Sequence, residues 1–209
     1  NRNRHHPSRI IPVVLLTAAL LTGCGGSAKK QSAEVSASAE PTPSVETVTY
    51  TQKTCQEFTF QIPDTWFLTE TKNDVASYKP NSKTNDVVLK VGVISGNGTI
   101  ANSDTQKEVT DLIEKNGYNI ISAEDKIIAG NHAGFEVKYK EKAKDSSILL
   151  QDNMLFIDAQ GGFMVFDLTM VDGTQEKYQP IYDAIAASIA ENPDAAVSAA
   201  ATPSAEAEG

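Results

Sequence analysis

Between residues 47 and 191 the chain alternates apolar and polar side chains over short runs. In EFTFQI, Phe58, Phe60 and Ile62 fall on one face while Glu57, Thr59 and Gln61 fall on the other. FEVKYK repeats the pattern, with Phe135, Val137 and Tyr139 inward and Glu136, Lys138 and Lys140 outward. Such period-two runs predict half-buried strands of an antiparallel sheet. Further strands are expected at 49–52, 66–71, Val75–Lys79, Val87–Ser95, 120–128, 148–157 and 163–171. The later ones are joined by short turns at Gly130-Asn131, the charged run 141–146 and Gln160-Gly161-Gly162, so they should form a meander.

Only two segments have helical period. Ser103, with Gln106 three residues on, fits a capping box, and Val109, Leu112 and Ile113 share a face before Gly117 stops the helix. From about 174 to 191, Tyr178, Ile181, Tyr182, Ile185 and Ile189 make a narrow apolar stripe of the kind that packs on a sheet. Pro180 interrupts that span, so regular helix is expected to begin there, and Pro193 to close it. The fold class is therefore α+β: an antiparallel sheet with one helix inserted midway and one at the C-terminal end.

Three stretches resemble PsbP-like domains of the Mog/PsbP type. FTFQIPDTW resembles their opening, an alternating strand running into Pro63 and Trp66; IIAGNHAGFEVKYK resembles their strand, glycine turn and strand; GTQEKYQPIYDAIAASI resembles their closing helix. The resemblance implies a central antiparallel sheet flanked by two main helices, an α/β/α sandwich, with Pro63 and Trp66 structural. It implies little about function, since that fold serves photosystem assembly, nuclear-transport factors and bacterial lipoproteins. No metal-binding or partner-binding motif carries over.

Composition confines the folded part. The 209 residues are 40% hydrophobic, yet every Phe, Tyr and Trp lies between 47 and 191, a block of the usual size for one domain. Ahead of it, Arg2, Arg4 and Arg9 precede the apolar run 10–21. That run falls short of the roughly 20 residues a bilayer helix needs. Residues 1–23 thus read as an export signal. The run ends Leu21-Thr22-Gly23-Cys24, which resembles the lipobox of bacterial lipoproteins. By that resemblance the leader is cut between Gly23 and Cys24, and the Cys24 thiol carries a diacylglyceryl group. Two acyl chains suffice where one holds only marginally. Residues 24–46, rich in Gly, Ser, Ala, Glu and Pro, are expected to be a lipidated disordered tether spanning roughly 25 Å. The Ala/Ser/Pro/Glu tail 192–209 is expected to be disordered too. The protein is placed at the extracytoplasmic face of the bacterial cell membrane, held by its lipid.

Charge narrows the partners. Without 1–23 the chain keeps 15 basic and 27 acidic residues, a net of −12. Nucleic acid and anionic lipid repel such a body. That leaves an envelope protein or a small ligand. Little chemistry is visible. With His5 and His6 in the leader, His132 is the single histidine left, placed in a solvated turn; one histidine builds no typical zinc site. Cys55 is expected to be a partly buried thiol without a disulfide partner, and nothing in the sequence brings it to His132. Gly96-x-Gly98-x-x-Ala101 stands between a strand and a helix, as a dinucleotide loop does, but the antiparallel meander around it fits a plain glycine turn. Ser27-Ala28-Lys29-Lys30 matches S-x-x-K inside the tether, where no helix fixes it. No calcium-loop pattern occurs. No catalytic, cofactor or metal residue is assigned. Two readings follow: a non-catalytic interaction module, or an envelope hydrolase using Cys55 or carboxylates brought together from distant strands. Paired carboxylates with shifted titration in a deep pocket would favour the enzyme; a shallow site with exposed apolar side chains would favour binding.

Overall fold

The computed structural model describes residues 48–81, 83–144 and 146–195. The export signal, Gly23, Cys24, the tether and the tail from 196 lie outside the described residues. The elements in chain order are β1 (Tyr50–Cys55), β2 (Phe58–Pro63), β3 (Phe67–Lys72), β4 (Val75–Lys79), β5 (Val87–Ser95), α1 (Ser103–Lys115), β6 (Asn119–Ile128), β7 (His132–Lys142), β8 (Leu149–Ala159), β9 (Gly162–Val171), α2 (Gln175–Ala187) and β10 (Ala190–Glu191).

Seven strands form the main sheet in the order β3-β4-β5-β9-β8-β7-β6, and every pairing is antiparallel. The expected meander is present as β6 to β9. The chain leaves β5 in the sheet interior and reaches the far edge strand β6 through α1, the helix inserted midway. A second, three-stranded sheet, β1-β2-β10, was not expected from the sequence. It exists because β2 buries Phe58, Phe60 and Ile62 completely, while β10 returns from α2 to pair Ala190 with Thr59. The main sheet thus has α1 on one face and α2 on the other, roughly as expected, with the small sheet beside α2 as an addition.

The strand alternation sorts the main sheet into two faces. Leu89, Val91, Leu155, Phe166 and Leu168 pack against Phe58, Phe60, Tyr178, Tyr182 and Ile185 of β2 and α2. Val137, Met154, Phe156 and Val165 point the other way, under Ile100, Val109 and Ile113 on the α1 side. Trp66 meets Tyr178 edge-on at 6.4 Å and its amide donates to the Pro63 carbonyl, as the structural role implied.

Three local expectations change. The cap of α1 is Asn102, whose side chain accepts from the Asp104 amide at 2.7 Å; Gln106 instead donates to the Ile100 carbonyl and to Asp125. Helix α2 starts at Gln175, so Pro180 sits inside it, and the helix ends at Ala187, well before Pro193. The bond lost at Pro180 is the one to Glu176, an exposed residue whose carbonyl water can serve. Glu136, placed outward by alternation, is buried between Lys126 at 3.5 Å and Lys138 at 3.4 Å.

Candidate functional site

Helix α1 covers the apolar end of its face. Beyond that end the same face turns polar across five strands. Register places Ser77 of β4 opposite Lys90 of β5, and Lys90 opposite Asp167 of β9. Asp152 of β8 lies opposite Thr169 of β9 on one side and Tyr139 of β7 on the other. Asp152 and Asp167 are therefore diagonal neighbours on adjacent strands, where side chains of one face reach each other. Each of the two is 3% exposed.

The two acids are unequally served. The Thr169 hydroxyl donates to Asp152 Oδ1 at 2.6 Å. Asp152 Oδ2 and Asp167 Oδ1 have no hydrogen-bond partner among the described residues. Burial pushes Asp152 well above the usual carboxylate range, and the charge of Asp167 adds to it. Burial also raises Asp167, to about 6, with the Lys90 ammonium pulling it back. Glu141, at the rim, is raised by burial and pulled back by Tyr118, while burial and Glu141 push the Tyr118 phenol to about 12. Tyr118 stacks on Tyr139 with ring centroids 5.5 Å apart. The sequence leaves room for carboxylates gathered from distant strands without singling any out. Asp152 and Asp167 stood in the sequence as interruptions of two apolar strands, the signal that could have found them.

A second feature lies at the opposite corner. The β6–β7 turn, Ile127 to Asn131, and the end of α2, Ala186 to Glu191, enclose a groove of about 690 Å³ lined mainly by Ile and Ala. Ile127 on its wall is 79% exposed. His132 Nε2 lies 2.7 Å from Glu191 Oε1 at its lip, and its ring meets Phe58 edge-on at 5.3 Å. His132 is thus the first residue of β7 and is held in place, not a free turn residue. Phe58 also pairs in register with Cys55, so Cys55 lies on the strand opposite the residue whose ring His132 meets. Burial, then Glu57, pushes the Cys55 thiol up, which disfavours the thiolate a nucleophile needs.

The glycine loop is hydrogen-bonded to β8. The Ile100 amide donates to Asp158 Oδ1 at 2.6 Å and the Thr99 hydroxyl donates to Oδ2. Asp158 of β8 thus ties the loop down from within, as suits a plain glycine turn. Among the described residues no cluster of His, Cys, Asp and Glu is arranged to hold a metal, and no helix is long and apolar enough to cross a membrane.

No known protein family matches the chain, and no curated protein does. Solved structures are similar to it. Cyanobacterial PsbP (CyanoP) from Synechocystis sp. PCC 6803 superposes with a TM-score of 0.53 at 15% identity, over 82% of this chain and 99% of that one. The protein PA94 of Pseudomonas aeruginosa gives 0.46 at 16% identity, over 76% and 99%. The Ran-binding protein Mog1p of Saccharomyces cerevisiae gives 0.45 at 11% identity, over 68% and 95%. The likeness to CyanoP is one of fold, and the folded part of this chain has a PsbP-like architecture.

Proposed function

We propose that this protein is a lipid-anchored module of the bacterial envelope, cut between Gly23 and Cys24, whose folded domain binds an envelope partner and catalyses nothing. Anchoring is supported by the lipobox-like LTGC after a short apolar run. Cys24→Ala abolishes labelling by an alkyne fatty acid in the bacterium if this is right; unchanged labelling refutes it.

Binding rests on one observation: the Ile/Ala-lined groove of about 690 Å³ beside the edge strand β6, with Ile127 standing out of it. A groove of that size suits a few apolar side chains of a partner, and an edge strand offers backbone groups alongside. A photo-crosslinker at position 127, used in intact cells, captures a discrete partner on this reading. The same crosslinker at Lys107 on α1 does not, and Ile127→Asp weakens the interaction. Equal capture from both positions would count against it.

One observation favours the other reading, a hydrolase working through carboxylates: the Asp152–Asp167 pair has the raised titration of an acid–base site. Against it, both side chains are 3% exposed, too enclosed to meet a substrate. The purified domain is to be screened on peptidoglycan, glycans and esters. Turnover lost in Asp152→Asn would replace the binding reading.

A further inference from the structure

The two buried acids pose a problem of inventory. An ionised carboxylate only accepts hydrogen bonds, so two ionised neighbours cannot serve each other. Yet Asp152 Oδ2 and Asp167 Oδ1 are both without partners among the described residues, on diagonal positions of β8 and β9, in a place almost sealed from water. An unserved buried acceptor is costly. A proton on Asp152 removes one of these two buried charges and turns its unserved carboxyl into a donor. We propose that Asp152 and Asp167 act as one acid pair that holds a single proton at neutral pH, and that losing this proton weakens the β8–β9 centre of the sheet.

The surroundings fix which acid keeps the proton. Lys90 of β5 lies directly opposite Asp167 and favours its ionised form. Asp152 faces Tyr139 of β7 and Thr169 of β9, with Glu141 of β7 also acting on it as a like charge. The Thr169 hydroxyl alone favours its anion by hydrogen bonding, and Lys90 by charge at a distance. On β4, Lys79 lies within reach of Lys90; Tyr118, after α1, acts on Tyr139; and Tyr182 of α2 is within electrostatic reach of Asp167 from the other face. The proton therefore belongs on Asp152, with Asp167 the anion. The sign follows. Both acids have folded values above their unfolded ones, so the stability they contribute is complete in acid and is lost as pH rises through the folded values. Such coupled groups titrate in two steps that belong to the pair.

The test uses the whole chain and makes no assumption about partners. Carboxyl carbon shifts of both residues are followed by NMR between pH 4 and pH 9, beside urea unfolding midpoints at the same pH values. The expected result is two separated steps, with Asp152 still protonated at pH 7, and a wild-type midpoint that falls as pH rises above 6. Asp152→Asn keeps an acceptor for Thr169 and leaves nothing to titrate at that position. It should remove the upper step and flatten the fall. Should that variant not fold, Thr169→Val serves, and the upper step must then move to higher pH. Single steps near the ordinary carboxylate value for both residues would overturn the proposal. So would an unchanged midpoint profile in Asp152→Asn, or an unmoved upper step in Thr169→Val.

Discussion

At position 162 a Cβ would stand 1.9 Å from the Ile94 carbonyl oxygen, so the β8–β9 turn admits only glycine beside β5. One residue earlier, Gly161 has φ of +85° but nothing within 4 Å of a would-be Cβ. The two glycines are needed for different reasons and should fail differently. Gly162→Ala must push strands apart and is expected to cost about 3 kcal/mol or more, whereas Gly161→Ala meets only the left-handed backbone penalty, about 1 kcal/mol. Urea unfolding of both variants separates the two costs; similar losses would contradict the packing account. Tyr118 offers a second contrast. Its hydrogen bond to Glu141 favours the ionised carboxyl there, against burial. Tyr118→Phe keeps the ring for stacking on Tyr139 and removes the hydroxyl. The Glu141 titration should then move further up, and the stability Glu141 contributes in acid should be lost at higher pH than in the wild type. A Glu141 carboxyl shift curve that stays put, or moves down, would show that the hydroxyl does not govern it.

Helix α1 shows how an element can be legible while its boundary is not. The apolar spacing of Val109 and Ile113 correctly predicted a buried stripe. The spacing of Ser103 and Gln106 fits a capping box, but Asn102 stands one residue earlier and its carboxamide reaches the Asp104 amide. Both residues are good caps, and only the loop path chooses between them. Asn102→Ala is therefore expected to cost about 1 kcal/mol, and Ser103→Ala to stay within about 0.5 kcal/mol. Thermal unfolding decides it, and a larger loss in Ser103→Ala would restore the box. Helix α2 repeats the lesson. The stripe of Tyr178, Tyr182 and Ile185 was readable, but proline was expected at a helix start. Sheet packing of Tyr178, upstream of Pro180, outweighs one missing backbone bond. Glu136 misled for a related reason: alternation gives the face, while burial of that face depends on what lies over it.

At the scale of the whole molecule, strands β1 to β9 are readable because each carries its own alternating or apolar run. The second sheet is not, because β10 has two residues and no pattern, and its partner β2 lies far back in the sequence. The acid pair was hidden likewise: which carboxylates meet is decided by the register of β8 against β9, which no local pattern states. The C-terminal segment after α2 is where this matters for stability. Ile189 is 3% exposed in the larger core, β10 pairs with Thr59 and Phe58, and the Asn192 amide donates to the Glu57 carbonyl at 2.6 Å. These contacts bind the end of α2 to β2 and so close one side of the core. Ending the chain after Ser188 removes them all. Burial of one isoleucine is worth up to about 3 kcal/mol and each backbone bond about 1 kcal/mol. Ending it after Ala195 removes none of them. The shorter chain should therefore lose about 3 kcal/mol or more and become open to proteases within β1 and β2. The longer one should keep the wild-type melting temperature and resist cutting throughout 48–191. If both truncations melt alike, the small sheet does not close the core, and the domain ends with α2 itself.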